Sequence, residues 1–103
     1  MNIAKMLKQA QKMQNDMQTA QAELQRKTVE ASVAGGKVVV SANGAGEVLS
    51  IKIDPALADP NDVETLEDVV LSGVQQALAK SREVASAEMG KVTGGLNLPG
   101  MGL

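Results

Sequence analysis

The stretch from Thr28 to Asp54, TVEASVAGGKVVVSANGAGEVLSIKID, is the only part of the chain where apolar residues recur with a period of two. That period places Val29, Ala31 and Val33 on one face of a strand. Val38, Val40 and Ala42 follow on a second strand, and Leu49, Ile51 and Ile53 on a third. Gly35-Gly36 and Asn43-Gly44-Ala45-Gly46 supply the two tight reversals between them. The pattern predicts a three-stranded antiparallel meander, with strands at about 28–34, 37–43 and 47–53 and one apolar face. A sheet of that size cannot stand alone, so the segments on either side of it, or something else, must cover that face.

The segment before the meander, residues 3–27, is rich in Gln, Lys, Met, Ala and Leu, with no Gly or Pro, and predicts one long helix. Ile3, Met6, Ala10, Met13, Met17, Ala20 and Leu24 form a heptad seam along it. About 25 helical residues span roughly 37 Å, against roughly 23 Å for a seven-residue strand. The helix must overhang its own sheet. The excess is covered by the second helix or a partner chain, or it projects as an arm. Lys5, Lys8 and Lys12 line up at spacings of three and four away from the seam. From periodicity alone that stripe is either a solubilising face or a contact surface.

After the meander, Asp54-Pro55 ends the third strand. Asp59-Pro60-Asn61-Asp62 has the form of a helix start, with Asp59 as N-cap and Pro60 at the first helical position. The second helix is expected over about 60–89, burying Val63, Leu66, Val70, Val74, Ala77, Leu78 and Val84, and ending at Gly90 or Gly94-Gly95. The acidic run Asp59, Asp62, Glu64, Glu67 and Asp68 fits helix capping and the positive helix end, and its spacing matches no calcium loop. The remaining Gly- and Pro-punctuated residues 95–103 are expected to form a flexible tail. Fold class is therefore α+β, an α-β-β-β-α subunit in a single domain over residues 1–94.

What is absent excludes most chemistry. With no Cys, His, Phe, Tyr or Trp, the chain has no thiol nucleophile, no usual zinc ligand set, no imidazole base and no ring to stack on a nucleobase. No phosphate-binding loop, dinucleotide fingerprint or triad spacing is present, and Gly44-Ala45-Gly46 reads as a turn signal only. The chain is expected to be no enzyme and to need no cofactor or metal. No signal peptide or transmembrane-length apolar run is present, which predicts a cytoplasmic protein with no membrane partner. An aromatic-free core in 103 residues is lean. Together with the overhanging helix, it predicts a homodimer.

The net charge of −2 conceals a gradient. Residues 1–27 hold five bases against two acids, whereas residues 55–103 hold three bases against seven acids. Any nucleic-acid binding would thus rest on charge and shape at the N-terminal end.

Five segments in order, MLKQAQKMQ at 6–14, GGKVVVSANG at 35–44, EVLSIKIDP at 47–55, TLEDVV at 65–70 and KVTGGLNLPGM at 91–101, make the chain resemble the bacterial YbaB/EbfC nucleoid-associated proteins over nearly its whole length. The resemblance implies a tweezer-like homodimer that binds double-stranded DNA with limited sequence preference in the nucleoid, and no small-molecule substrate. It implies Lys5, Lys8 and Lys12 as the leading phosphate contacts, with Arg26, Lys27, Lys80, Arg82 and Lys91 as secondary ones. The alternative is a protein-interaction module in which the Met-rich seam receives a partner helix, methionine being adaptable at such surfaces.

Overall fold

One helix is about 10 Å across and neighbouring strands lie about 4.8 Å apart, so a single helix covers two strands of a sheet and leaves a third open. The computed structural model, which describes residues 2–94, is built around that mismatch. Its elements in order are α1 (Ile3–Arg26), β1 (Thr28–Val33), β2 (Val38–Asn43), β3 (Val48–Ile53) and α2 (Val63–Gly94), with single 3-10 turns at Ala34–Gly36 and Pro55–Leu57. The sheet is an antiparallel meander in the order β1-β2-β3.

Ala31 stands opposite Val40 on β1 and β2, and Val40 opposite Ile51 on β3. The expected apolar face is thereby assembled. A bulge opposite Ser41 and Ala42 brings Val48 into register with Ala42 and leaves Leu49 as the extra residue. α2 packs on β1 and β2 and only grazes β3. Ala31, Val38, Val40 and Ala42 are fully buried with Ala77 of α2, whereas every residue of β3 is exposed. The flanking segments cover the apolar face over β1 and β2 only: Leu49, Ile51 and Ile53 are exposed and await other cover.

The contact line of α2 is made of small residues. Gly73, Ala77 and Ser81 are buried one turn apart. A Cβ built on Gly73 would lie 2.9 Å from the Cγ2 of Val40 and 3.3 Å from that of Val33, so the helix can sit this low only with glycine there. Val70 and Val74 flank the line as expected, but Val63 is exposed. The helix also begins three residues later than expected. The Asp59 carboxylate accepts from the Asn61 N–H at 2.9 Å and its carbonyl accepts from the Asp62 N–H at 3.0 Å, so residues 59–62 form a turn. Asp62 is the cap, accepting from the Thr65 N–H at 3.4 Å. At the other end, Gly90 does not stop the helix, since an internal glycine weakens a helix without breaking it. The expected tail, residues 95–103, lies outside the described residues.

α1 is fixed to this body at its C-terminal half. Ala20 and Leu24 are its buried residues. The Gly44 N–H donates to the carbonyls of Leu24 and Lys27, both at 2.9 Å, and a Cβ there would lie 2.8 Å from Leu24 Cδ2. Gly44 is therefore a docking point for α1 and not only a turn residue. Buried Asn43 organises the same corner. Its Oδ1 accepts from the N–H groups of Ala45 and Glu47 at 3.0 Å, while its Nδ2 donates to Glu47 Oε1 at 2.8 Å. An ion pair closes the joint: Lys27 Nζ lies 2.8 Å from Glu88 Oε2, with Lys91 Nζ at 3.4 Å from the same oxygen. The hydrogen bond from Lys27 holds the Glu88 carboxyl below its ordinary value, against a smaller opposing effect of desolvation and with further help from Lys91.

Two outcomes are expected in denaturant titrations. Gly73→Val should destabilise the protein by about 2 kcal/mol through overpacking against Val33 and Val40. Gly90→Ala, whose added Cβ would meet nothing within 4 Å outside the helix's own nearby backbone, should stabilise it by about 0.5–1 kcal/mol. The depressed Glu88 pKa also sets a pH window. Its contribution is complete above the ordinary glutamate value of 4.5 and is lost as pH falls through the lower folded value. The stability gap between wild type and Glu88→Gln should therefore be constant near neutrality and close below that pH, as read by thermal unfolding at successive pH values.

Candidate nucleic-acid interface

Helix pairing decides how much of α1 is free. Asp16, Thr19 and Ala20 face Glu88, Lys91 and Val92, whereas Leu24 and Gln25 face Ala85, Met89 and the Gly44 turn. Rising numbers on α1 meet falling numbers on α2, so the helices are antiparallel and touch along the C-terminal half of α1. Residues 2–12 are all exposed. At 1.5 Å per residue, that free portion is an arm about 15 Å long. Asn2 starts it, accepting from the Lys5 N–H at 3.1 Å, and no acidic residue follows in the first turn.

Lys5, Lys8 and Lys12 lie along one side of this arm, all exposed. They make no ion pair among the described residues. The stripe is about 10 Å long. The other sequence-derived cations divide by what they already hold. Lys27 and Lys91 share Glu88, Arg26 lies 3.7 Å from Glu23, and Lys80 Nζ donates to the Glu30 carbonyl at 2.7 Å, tying α2 to β1. Only Arg82 on α2 resembles the arm lysines in being exposed with no such partner among the described residues. The fold thus gathers three uncommitted cations on α1 and gives four of the five secondary candidates a structural contact, while Lys37 and Lys52 of the sheet are exposed without an ion pair among the described residues.

The acids gather at the opposite end of a molecule 71 Å long. Asp54 caps the turn after β3 by accepting from the Ala56 N–H at 2.8 Å, and Asp59 and Asp62 are engaged as described. No group of acidic side chains suited to a metal ion occurs among the described residues. The cleft between α1 and α2 carries Asp16, Glu88 and Lys91, but Glu88 is the counter-ion of two lysines, which leaves it a poor proton acceptor. No described helix is long and apolar enough to cross a membrane.

Two apolar surfaces stay open among the described residues. The first is the seam of the arm, where Ile3 is 67% exposed and Met6 56%. The second was not anticipated from sequence: Ile53 of β3 and Leu66, Val70, Leu71 and Val74 of α2 line a groove in which Leu71 is 56% exposed. The available signal was dimensional, since one helix about 10 Å across cannot roof three strands about 4.8 Å apart.

A model of the YbaB/EbfC DNA-binding family matches residues 1–96. A nucleoid-associated protein of Thermoanaerobacter sp. (strain X514) is 55% identical over 100 residues, which cover 97% of this chain and 90% of that protein. One of Clostridium novyi (strain NT) is 54% identical over 101 residues, covering 98% of this chain and 89% of that protein. In fold, the chain is similar to the crystal structure of an uncharacterized protein from Helicobacter pylori, with a TM-score of 0.70 at 20% identity over 93% of this chain and 97% of that one. A match spanning the first helix, the meander and α2 together leaves one assignment: the chain belongs to the YbaB/EbfC DNA-binding family.

Proposed function

We propose that this chain binds double-stranded DNA as a homodimer, with low sequence specificity, through Lys5, Lys8 and Lys12 on its two α1 arms, and that it serves as a nucleoid-associated protein. The observation that carries the reading is the uncommitted lysine stripe on a helix that projects beyond its own sheet. A stripe of about 10 Å matches about three phosphate steps of 3.4 Å along one strand. Lysine ammonium groups on phosphates fix position and carry no base information, which accords with low specificity. The acidic end of α2 repels the duplex and so favours approach at the arm end. Arg82 is the next contact in order, because Arg26, Lys27, Lys80 and Lys91 would have to give up internal partners.

The homodimer reading is supported by the open groove between β3 and α2. Ile51 is 42% exposed and Ile53 40%, beside exposed Leu71. A contiguous apolar surface of this kind on a small domain marks an association site. Covering it with the same surface of a second copy would close a two-fold dimer and hold the two arms in fixed relation. The exposed seam on α1 favours a second reading, in which the arm also receives an apolar segment.

In fluorescence anisotropy on a long duplex, Lys5→Glu/Lys8→Glu/Lys12→Glu should bind at least about tenfold more weakly than wild type, with an unchanged circular dichroism spectrum. Equal affinity would sink the arm assignment. With six phosphates neutralised per dimer, the wild-type log–log salt slope should be about −5, and Lys8→Glu alone should make it shallower by about 2. Leu71→Glu should leave the fold intact, because the side chain is exposed within one chain. Sedimentation equilibrium should find it monomeric at concentrations where wild type is dimeric.

A further inference from the structure

The apolar seam of α1 is covered at one end and open at the other. Ala20 and Leu24 are buried in the joint with α2, and that cover reaches as far as Asp16 and Thr19, which face Lys91 and Val92. The same stripe continues through Met13 into residues 2–12, all of them exposed. Leu7, 61% exposed, widens the stripe beside Ile3 and Met6.

The heptad register says what kind of surface fits. Ile3 and Ala10 occupy a positions, and Met6 and Met13 occupy d positions. The flanking e and g positions hold Asn2, Leu7, Gln9 and Gln14, none of them charged. Charges at e and g are what select an unlike partner helix, and here there are none to do so. Lys5 and Lys12 fall at c and Lys8 at f, on the outer side. Two copies of this seam therefore meet without like-charge repulsion, and their lysines stay in solvent.

Packing chooses the orientation. In a parallel pair Ala10 would face Ala10 of the second copy and leave a gap. The two bodies, which begin near Asp16 on each helix, would also be brought to the same end. In an antiparallel pair an a residue of one helix lies beside a d residue of the other. Ile3 then packs on Met13 and Ala10 on Met6 of the second copy, about a two-fold axis near Lys8. Leu7 meets Leu7 of the second copy across that axis, and the bodies lie at opposite ends. The paired length, Ile3 to Met13, is about 15 Å.

We propose that residues 3–13 of α1 pair antiparallel, seam to seam, with the same residues of a second copy, leaving Lys5, Lys8 and Lys12 of both outward. This rests on the second reading above, that the arm receives an apolar segment, and it identifies that segment. So short a seam buries too little to hold free copies together at low concentration. The contact is populated where copies are crowded, as they would be along one duplex. With the β3–α2 groove joining copies at one end and the arms at the other, alternating two-fold contacts build a chain of copies and not a closed pair.

The chain has no cysteine, so single thiols report the contact in the full-length protein. Each variant carries Leu71→Glu as well, which removes the groove contact from the readout. On oxidation by oxidised glutathione, Leu7→Cys should form a disulfide-linked dimer at least about tenfold faster than Gln11→Cys, whose thiol is on the outer side of the helix. Both positions are exposed, and circular dichroism checks the fold. An equimolar mixture of Met6→Cys and Ala10→Cys should link across the two variants faster than either links to itself. Equal rates for Leu7→Cys and Gln11→Cys, or faster linking of Met6→Cys to itself, would overturn the antiparallel pairing. Alkylation of Met6→Cys by iodoacetamide separates this inference from the reading it rests on. Its rate should fall as protein concentration rises from micromolar to millimolar. A rate that is slow at every concentration overturns self-pairing and assigns the cover to the same chain. A rate that matches Gln11→Cys at every concentration overturns both.

Discussion

The close approach of α2 to the sheet governs the rest of the molecule. With glycine at 73, alanine at 77 and serine at 81 along its contact line, the helix lies directly on Val33, Val38 and Val40, and no large side chain holds it off. A core of valine and alanine, without a single aromatic ring, fills space only if the layers come this near. The same seating aligns α2 over β1 and β2. β3 is then left with an apolar face and no roof among the described residues, and an open apolar surface results directly from how the core is closed.

The position of α1 follows from a second joint of the same kind. Gly44 admits Leu24 at a distance no other residue would allow, Asn43 satisfies the backbone of the turn beneath it, and Lys27 reaches Glu88 on α2. All of these contacts lie at the C-terminal end of the helix. The N-terminal end is therefore free to project, and the lysines there form no ion pair among the described residues. Several cations elsewhere are tied into the fold, where Lys80 caps a strand carbonyl and Lys27 and Lys91 neutralise one carboxylate. A chain with a net charge of −2 can still present a basic end because its acids are used and concentrated at the other one.

Much of this was legible in the sequence. Period-two and period-3.6 patterns are local properties, and they gave the five elements in the right order with most boundaries within a residue or two. The lysine stripe was legible for the same reason, since i, i+3 and i+7 must share a side of a helix. The start of α2 was misplaced because Asp59 and Asp62 are equally good capping residues, and only the turn formed by residues 59–62 settles between them. Gly44 was read as a turn glycine because what it touches, Leu24, is 20 positions away in sequence and adjacent only once the chain has folded.

By itself, then, the sequence determined the elements, the basic stripe and the exclusion of most catalytic chemistry, because propensity, periodicity and residue type act within a few positions of one another. The tertiary structure decided which strands the helix covers, which cations remain uncommitted and which apolar surfaces stay open. Those outcomes depend on helix width against strand spacing, and on contacts such as Lys80 with Glu30 or Gly73 with Val40, that join residues far apart along the chain.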